Sequence, residues 1–180
     1  HSTSRRQRQM CIRDSYLNDA LEKTTSFKGL VTDDGASATK QSITLFSGNE
    51  GEEKARRTFN YNFDGDAIKS TSILTYTNDA LTQSVSYKGF VANEPVTVKT
   101  LTEDIDKKIS VTLFSGNEGE EKARRTFNYN FDGDAIKSTS ILTYTNDALN
   151  KTTSYKGLVT DDGQTATKQS VTLFSGNEGE

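Results

Sequence analysis

Asn62-x-Asp64-Gly65-Asp66 and its copy Asn130-x-Asp132-Gly133-Asp134 set amide and carboxylate oxygens at alternate positions. A calcium loop begins this way, because a hard cation gathers several oxygen ligands around a tight, glycine-permitted turn. Asn62, Asp64, Asp66, Asn130, Asp132 and Asp134 are therefore calcium candidates, although the position where such a loop needs its bidentate Glu holds Ile73. Turn chemistry competes with this reading, since Asn and Asp side chains bond their own backbone and suit loops without a metal. Asp33-Asp34-Gly35 and Asp161-Asp162-Gly163 pose the same choice.

Two other groupings could do chemistry. Lys54, Arg56 and Arg57 stand beside Phe59 and Tyr61, as in a platform where cations track phosphates and aromatics stack bases. Glu50, Glu52 and Glu53 close by, and a formal net charge of -3, oppose a nucleic-acid partner and favour a salt-bridged strand end. The many carboxylates could also meet in pairs and act as acid and base, as in glycoside hydrolysis. A solvated acidic surface is the plainer account, and it keeps a β-rich chain soluble.

The first fourteen residues stand apart. Arg5 to Asp14, RRQRQMCIRD, resembles the in-frame translation of a transposon-based sequencing adapter, so residues 1–14 are read as adapter-derived, non-native and disordered. They contain the only His, Cys and Met. They also hold four of the 22 Lys and Arg and one of the 25 Asp and Glu, which leaves 18 basic against 24 acidic residues. From Ser15 onward there is no His, Cys, Met or Trp. A histidine base, a Cys nucleophile, a Ser-His-Asp triad and a thiolate or imidazole zinc site are thereby excluded from that stretch. No catalytic residue and no cofactor other than calcium is expected, and no apolar run is long enough to insert in a membrane.

The elements that must position these residues repeat. Residues 44 to 81 recur letter for letter at 112 to 149, and TLFSGNEGE begins again at 172. Residues 16 to 43 align with 144 to 171, with Phe27 against Tyr155 and Ile43 against Val171. The organisation is thus a partial repeat at 15–43, a unit with a longer linker at 44–111, a unit at 112–171 and the start of another at 172–180. The chain reads as a slice of a longer, metagenomic repeat protein. A period of this size is one supersecondary unit that shares its apolar face with neighbours. The longer linker, Phe90 to Lys108, contains the only proline, Pro95, and the alternating Val96, Val98 and Thr100; it reads as an added strand or an extended surface excursion.

Within a unit the pattern has period two. Phe59, Tyr61 and Phe63 alternate with polar residues, which puts three aromatics on one strand face. Asp64-Gly65 then marks a tight primed hairpin. Ala67 to Thr77 is a second strand, Asn78-Asp79 turns the chain, and Thr82 to Lys88 alternates Val85 and Tyr87 with serines. Ser42 to Ser47 completes the cycle. Glu50 to Arg57 reads as a wide hairpin loop running into a long strand, with one helical turn as the alternative. The expected fold is all-β, an antiparallel β-meander or β-solenoid-like array of about four strands per unit. Its stacking core is Phe59, Tyr61 and Phe63 with Phe127, Tyr129 and Phe131.

Tyr61-Asn62-Phe63-Asp64-Gly65-Asp66, followed by the Thr-rich strand to Tyr76, resembles the tyrosine-aspartate repeats of bacterial Rhs-type and teneurin-like proteins. It is also similar to the β-repeat regions of very large bacterial surface proteins. The resemblance implies a non-catalytic, extracellular or cell-surface bacterial scaffold, structural or adhesive, that extends or encloses. Its partners would be neighbouring repeats of the same chain, and cell-surface glycans or proteins. A carbohydrate- or calcium-binding repeat module is the alternative, and a non-catalytic part of a larger enzyme or toxin a second one.

Overall fold

The computed structural model describes residues 10–29, 31, 38–92, 107–161 and 165–175. Its elements are β1 (Met10–Leu17), β2 (Ala20–Lys28), β3 (Lys40–Ser47), β4 (Lys54–Tyr61), β5 (Ile68–Thr77), β6 (Ala80–Lys88), β7 (Lys108–Ser115), β8 (Lys122–Tyr129), β9 (Ile136–Thr145), β10 (Ala148–Lys156) and β11 (Lys168–Leu173). The fold is an all-β antiparallel meander whose strand order follows the chain from β1 to β11. Among the described residues no helix is long and apolar enough to cross a membrane. Two compact units, His1–Ile73 and Leu74–Glu180, divide within β5.

In the first unit, the period-two alternation places Thr25, Ile43, Phe59 and Thr71 opposite one another across β2, β3, β4 and β5. Phe27, Phe59 and Ile73 are buried on this face, and Thr71 is wholly so. The opposite face carries the row Thr24, Thr44, Thr58 and Ser72. Its small polar side chains bond across strands, with Thr44 and Thr58 hydroxyls 3.1 Å apart and the Asn60 amide 3.3 Å from Ser70. Such cross-strand hydroxyl pairs let a half-exposed sheet face satisfy itself without apolar cover.

In the second unit the apolar row is Val85, Val111, Phe127, Thr139 and Tyr155. A single sheet cannot bury this face alone, and the chain leaving β10 supplies the cover. The Gly157 amide donates to the Lys137 carbonyl at 2.9 Å. The Thr139 hydroxyl donates to the Gly157 carbonyl at 2.7 Å and accepts the Val159 amide at 3.1 Å. Arg125 then donates from Nη1 to the Thr160 carbonyl at 2.8 Å and from Nη2 to the Asp161 carbonyl at 2.7 Å. This strap buries Val159 while Leu158 faces outward. After β6, Val91 is likewise buried and Phe90 exposed. Pro95, Val96, Val98 and Thr100 lie outside the described residues.

Three expectations need correction. Residues 10–14, read as disordered, belong to β1, whose backbone pairs with β2 from Met10↔Lys28 to Leu17↔Ala20. The ladder is made by backbone groups that every residue carries, and the Asp14 carboxylate accepts the Thr24 hydroxyl at 2.8 Å. Ile12, Tyr16 and Leu17 stay exposed, as a sheet edge allows. Asp64-Gly65 is not a two-residue primed turn, because β4 and β5 are joined by residues 62–67, closed by the Asn62 amide on the Ala67 carbonyl. The primed turns sit at Asn18-Asp19, Asn78-Asp79 and Asn146-Asp147, where both residues have φ between 48° and 66°; Asn and Asp tolerate this left-handed region better than other non-glycine residues. Finally, Phe63 and Phe131 are 83% and 82% exposed. They stand in the turn after β4 and β8 and so escape the strand's alternation. Phe59 is buried, while Phe127, Tyr61 and Tyr129 are half-buried.

Glu50 to Arg57 resolves as the loop reading expected. Residues 48–53 form the loop, with the Glu52 amide on the Asn49 carbonyl, and Lys54 to Arg57 enter β4.

Candidate functional site

The polar residues with repeated neighbours gather around the two loops that flank β4 and β8. Glu53 ends the first loop. Its Oε1 accepts the Leu21 amide at 2.9 Å and its Oε2 the Gly51 amide at 3.0 Å. Leu21 faces β1 through Tyr16 and has no partner in the β2–β3 ladder, which runs from Lys23 to Phe27. The carboxylate therefore extends that ladder from a side chain. The Leu21 amide, followed by Glu53's own, holds the carboxyl below its ordinary range; partial desolvation opposes them and the Gly51 amide adds a smaller lowering. Glu121 repeats the bond, accepting the Leu81 amide at 2.9 Å.

At the other end of β4, Asn62 organises the candidate calcium turn. Its Oδ1 accepts the Gly65, Asp66 and Ala67 amides at 2.9, 3.2 and 3.3 Å, and its Nδ2 donates to Asp66 Oδ1 at 2.7 Å. Asn130 does the same toward Asp134 and Ala135. The oxygen expected to open a cation's coordination shell is thus spent on backbone donors. Among the described residues no group of three or more His, Cys, Asp or Glu side chains converges. Gly65, at φ 75°, lets the turn lie against β3: a Cβ there would fall 2.7 Å from the Lys40 nitrogen, closer than real contacts allow.

Phe63 is held in that turn without being buried. The Lys28 ammonium sits 3.6 Å from its ring centroid and donates to its carbonyl. Lys88 treats Phe131 alike, 3.5 Å from the centroid. Lys40 and Lys108 approach Tyr61 and Tyr129 at 5.9 and 5.6 Å. Burial pushes the Tyr129 phenol above its ordinary range. In the first unit these residues border an open cleft lined by Lys28, Asn60, Tyr61, Phe63, Lys69 and Ser70.

The basic residues of β4 and β8 divide between the two faces of their strands. Arg57 shares the row of Leu45 and Ile73, whereas Arg56 Nε donates to the Ser47 hydroxyl at 2.8 Å. In the second unit Arg124 bonds Ser115 at 2.7 Å and lies 5.0 Å from the Tyr144 ring. Lys122 pairs with Asp147 at 2.9 Å. Asp161 contributes its carbonyl to Arg125; Asp33, Asp34, Gly35, Asp162 and Gly163 lie outside the described residues.

Sequence reasoning missed the Glu53–Leu21 and Lys28–Phe63 ties. Each spans more than thirty residues, too far for local periodicity. The available signal was their recurrence at Glu121–Leu81 and Lys88–Phe131.

No protein family and no curated protein matches the chain. Among solved structures it is similar to a protein of unknown function from Bacteroides fragilis, at 10% identity over 93% of each chain with a TM-score of 0.30.

Proposed function

We propose that the chain is a structural or adhesive repeat segment of a large bacterial surface or secreted protein, a non-catalytic β scaffold that extends, encloses or presents. One observation carries this reading. The residues with chemical potential are engaged in the same ties in both units: Glu53 and Glu121 on strand amides, Asn62 and Asn130 on their own turns, Arg56 and Arg124 on serines. A side chain whose lone pairs and protons already satisfy backbone groups is poorly placed to move protons or bind metal.

Calcium titration tests it. A site saturated a hundredfold above its Kd stabilises the folded state by about 2.7 kcal/mol. The scaffold reading expects an unchanged melting temperature in millimolar calcium, and a rise of several degrees overturns it in favour of the calcium-binding alternative.

The exposed Phe63 and Phe131, each beside a lysine, favour a second reading in which the units bind cell-surface glycans by stacking a sugar on the ring. Retention on immobilised acidic polysaccharide, lost in Phe63→Ala with Phe131→Ala, would support it.

A further inference from the structure

We propose that the cleft at the turn end of β4 is a subsite for a hexuronate residue of an acidic polysaccharide, and that the second unit repeats it. The inference rests on the reading in which a sugar stacks on Phe63, and adds the charge that the sugar must carry. The strands that build the two sites, β2 to β5 and β6 to β9, all lie inside the strand order with a neighbour on each side.

Two β-bulges border the cleft. Between β2 and β3 the register passes from Ser26↔Ser42 to Phe27↔Lys40 and skips Gln41; between β4 and β5 it passes from Asn60↔Ser70 to Tyr61↔Ile68 and skips Lys69. A bulge bends its strand and re-aims the extra side chain. Gln41 and Lys69 both line the cleft, with Asn60, Tyr61, Phe63 and Ser70. The second unit repeats the construction, where the steps from Ser86↔Ser110 to Tyr87↔Lys108 and from Asn128↔Ser138 to Tyr129↔Ile136 skip Ile109 and Lys137. Gln41 against Ile109 is the one difference between the two sets of lining positions. The shared chemistry is therefore that of the rings, the lysines and the Asn–Ser pair.

That chemistry matches a sugar acid. Phe63 is 83% exposed, with the Lys28 ammonium 3.6 Å from its ring centroid. The cation holds one face of the ring and leaves the other to solvent. An aromatic face carries negative potential, and the C–H groups of a pyranose, made slightly positive by their oxygens, pack flat against it. Asn60 and Ser70, 3.3 Å apart, offer an amide and a hydroxyl to the sugar's own hydroxyls.

Charge selects the acid. Lys28, Lys40 and Lys69 gather at the two rings, Lys40 at 5.9 Å from Tyr61. The turn opposes them with Asp64 and Asp66, and the Asp66 carboxylate already accepts the Asn62 amide at 2.7 Å. Lys28 is engaged by the ring and the carbonyl of Phe63. Exposed Lys69 is then the ammonium that meets the uronate carboxylate in a charge-assisted hydrogen bond, and Lys137 is its counterpart in the second unit.

The test is calorimetric titration of the whole protein at neutral pH with oligosaccharides of galacturonate, of glucuronate and of mannuronate. Each is also titrated as its methyl ester, which keeps the ring and removes the charge. At least one acid series should bind, and its ester should bind at least about tenfold more weakly, the size of a charge-assisted bond. Lys69→Met with Lys137→Met should weaken the acid to a similar extent at an unchanged melting temperature, because both side chains are exposed; Lys69→Arg with Lys137→Arg should restore binding. Binding to no acid series, equal binding of acid and ester, or full acid binding by the methionine variant each overturns the inference. Equal binding of acid and ester that is lost in Phe63→Ala with Phe131→Ala leaves the stacking reading standing, whereas acid binding that survives those alanines overturns both.

Discussion

Thr139→Val should destabilise the second unit although valine is the better strand former. Thr139 is fully buried, and its hydroxyl joins the sheet to its cover, donating to the Gly157 carbonyl at 2.7 Å and accepting the Val159 amide at 3.1 Å. Valine keeps the shape and removes both bonds. Each orphaned backbone group costs about 1–3 kcal/mol where water cannot replace the partner. The added methyl returns about 0.8 kcal/mol. The net loss is about 1–5 kcal/mol, and at roughly 4–8 °C per kcal/mol for a unit of about a hundred residues the melting temperature should fall by about 5 °C or more. Thr139→Ser is the control: it keeps the bonds and loses a methyl, about 1 kcal/mol. Denaturant unfolding of the three proteins, with hydrogen exchange at the Val159 amide, measures the difference. If T139V proves as stable as T139S, the strap is not held through this hydroxyl and the reasoning fails.

Phe59→Ala should cost about 3–5 kcal/mol, as a buried aromatic does, whereas Phe63→Ala should cost no more than the about 0.5–1 kcal/mol of an exposed cation–aromatic contact; comparing denaturant midpoints checks both. Glu53 titrates below its ordinary range in the folded chain, so its stabilisation is present above the unfolded pKa and lost as pH falls through the folded one. Glu53→Gln should therefore flatten the fall in stability on the acid side of the ordinary glutamate pKa, which acid unfolding curves would reveal. Asn78→Val should cost about 1–2 kcal/mol, because a β-branched residue is forced to the positive φ of 48° at this turn, while Asn78→Gly should be tolerated in the same melting assay.

Much of the architecture was legible because strand alternation is local. Val85 and Tyr87 alternate with Ser84 and Ser86 in the sequence, and both apolar residues are buried. The loop before β4 was legible from its glycines and acids. Where the alternation ran into a turn the extrapolation failed: Phe63 continues the pattern of Phe59 and Tyr61 on paper, but Asn62 captures the following amides and ends the strand at Tyr61. The calcium candidates illustrate a related ambiguity. Oxygens at alternate positions suit a cation and an Asn-capped turn equally well, and only the tertiary geometry shows that Asn62 Oδ1 accepts the Gly65, Asp66 and Ala67 amides.

By itself, the sequence determined the repeat period, the two-faced strands and the positions of the turns, since these depend on residues within a few places of one another. Which face would be covered, and by what, was decided only in three dimensions. Thr71 and Thr139 carry no apolar signal in the sequence, yet among the described residues they are the most deeply buried side chains. The cover over Thr139 comes from residues 18 and 20 places onward, and Arg125 reaches 36 places to Asp161. Alternation specifies that a strand has two unlike faces; burial additionally requires a second layer, and a second layer is a long-range contact that no local pattern encodes.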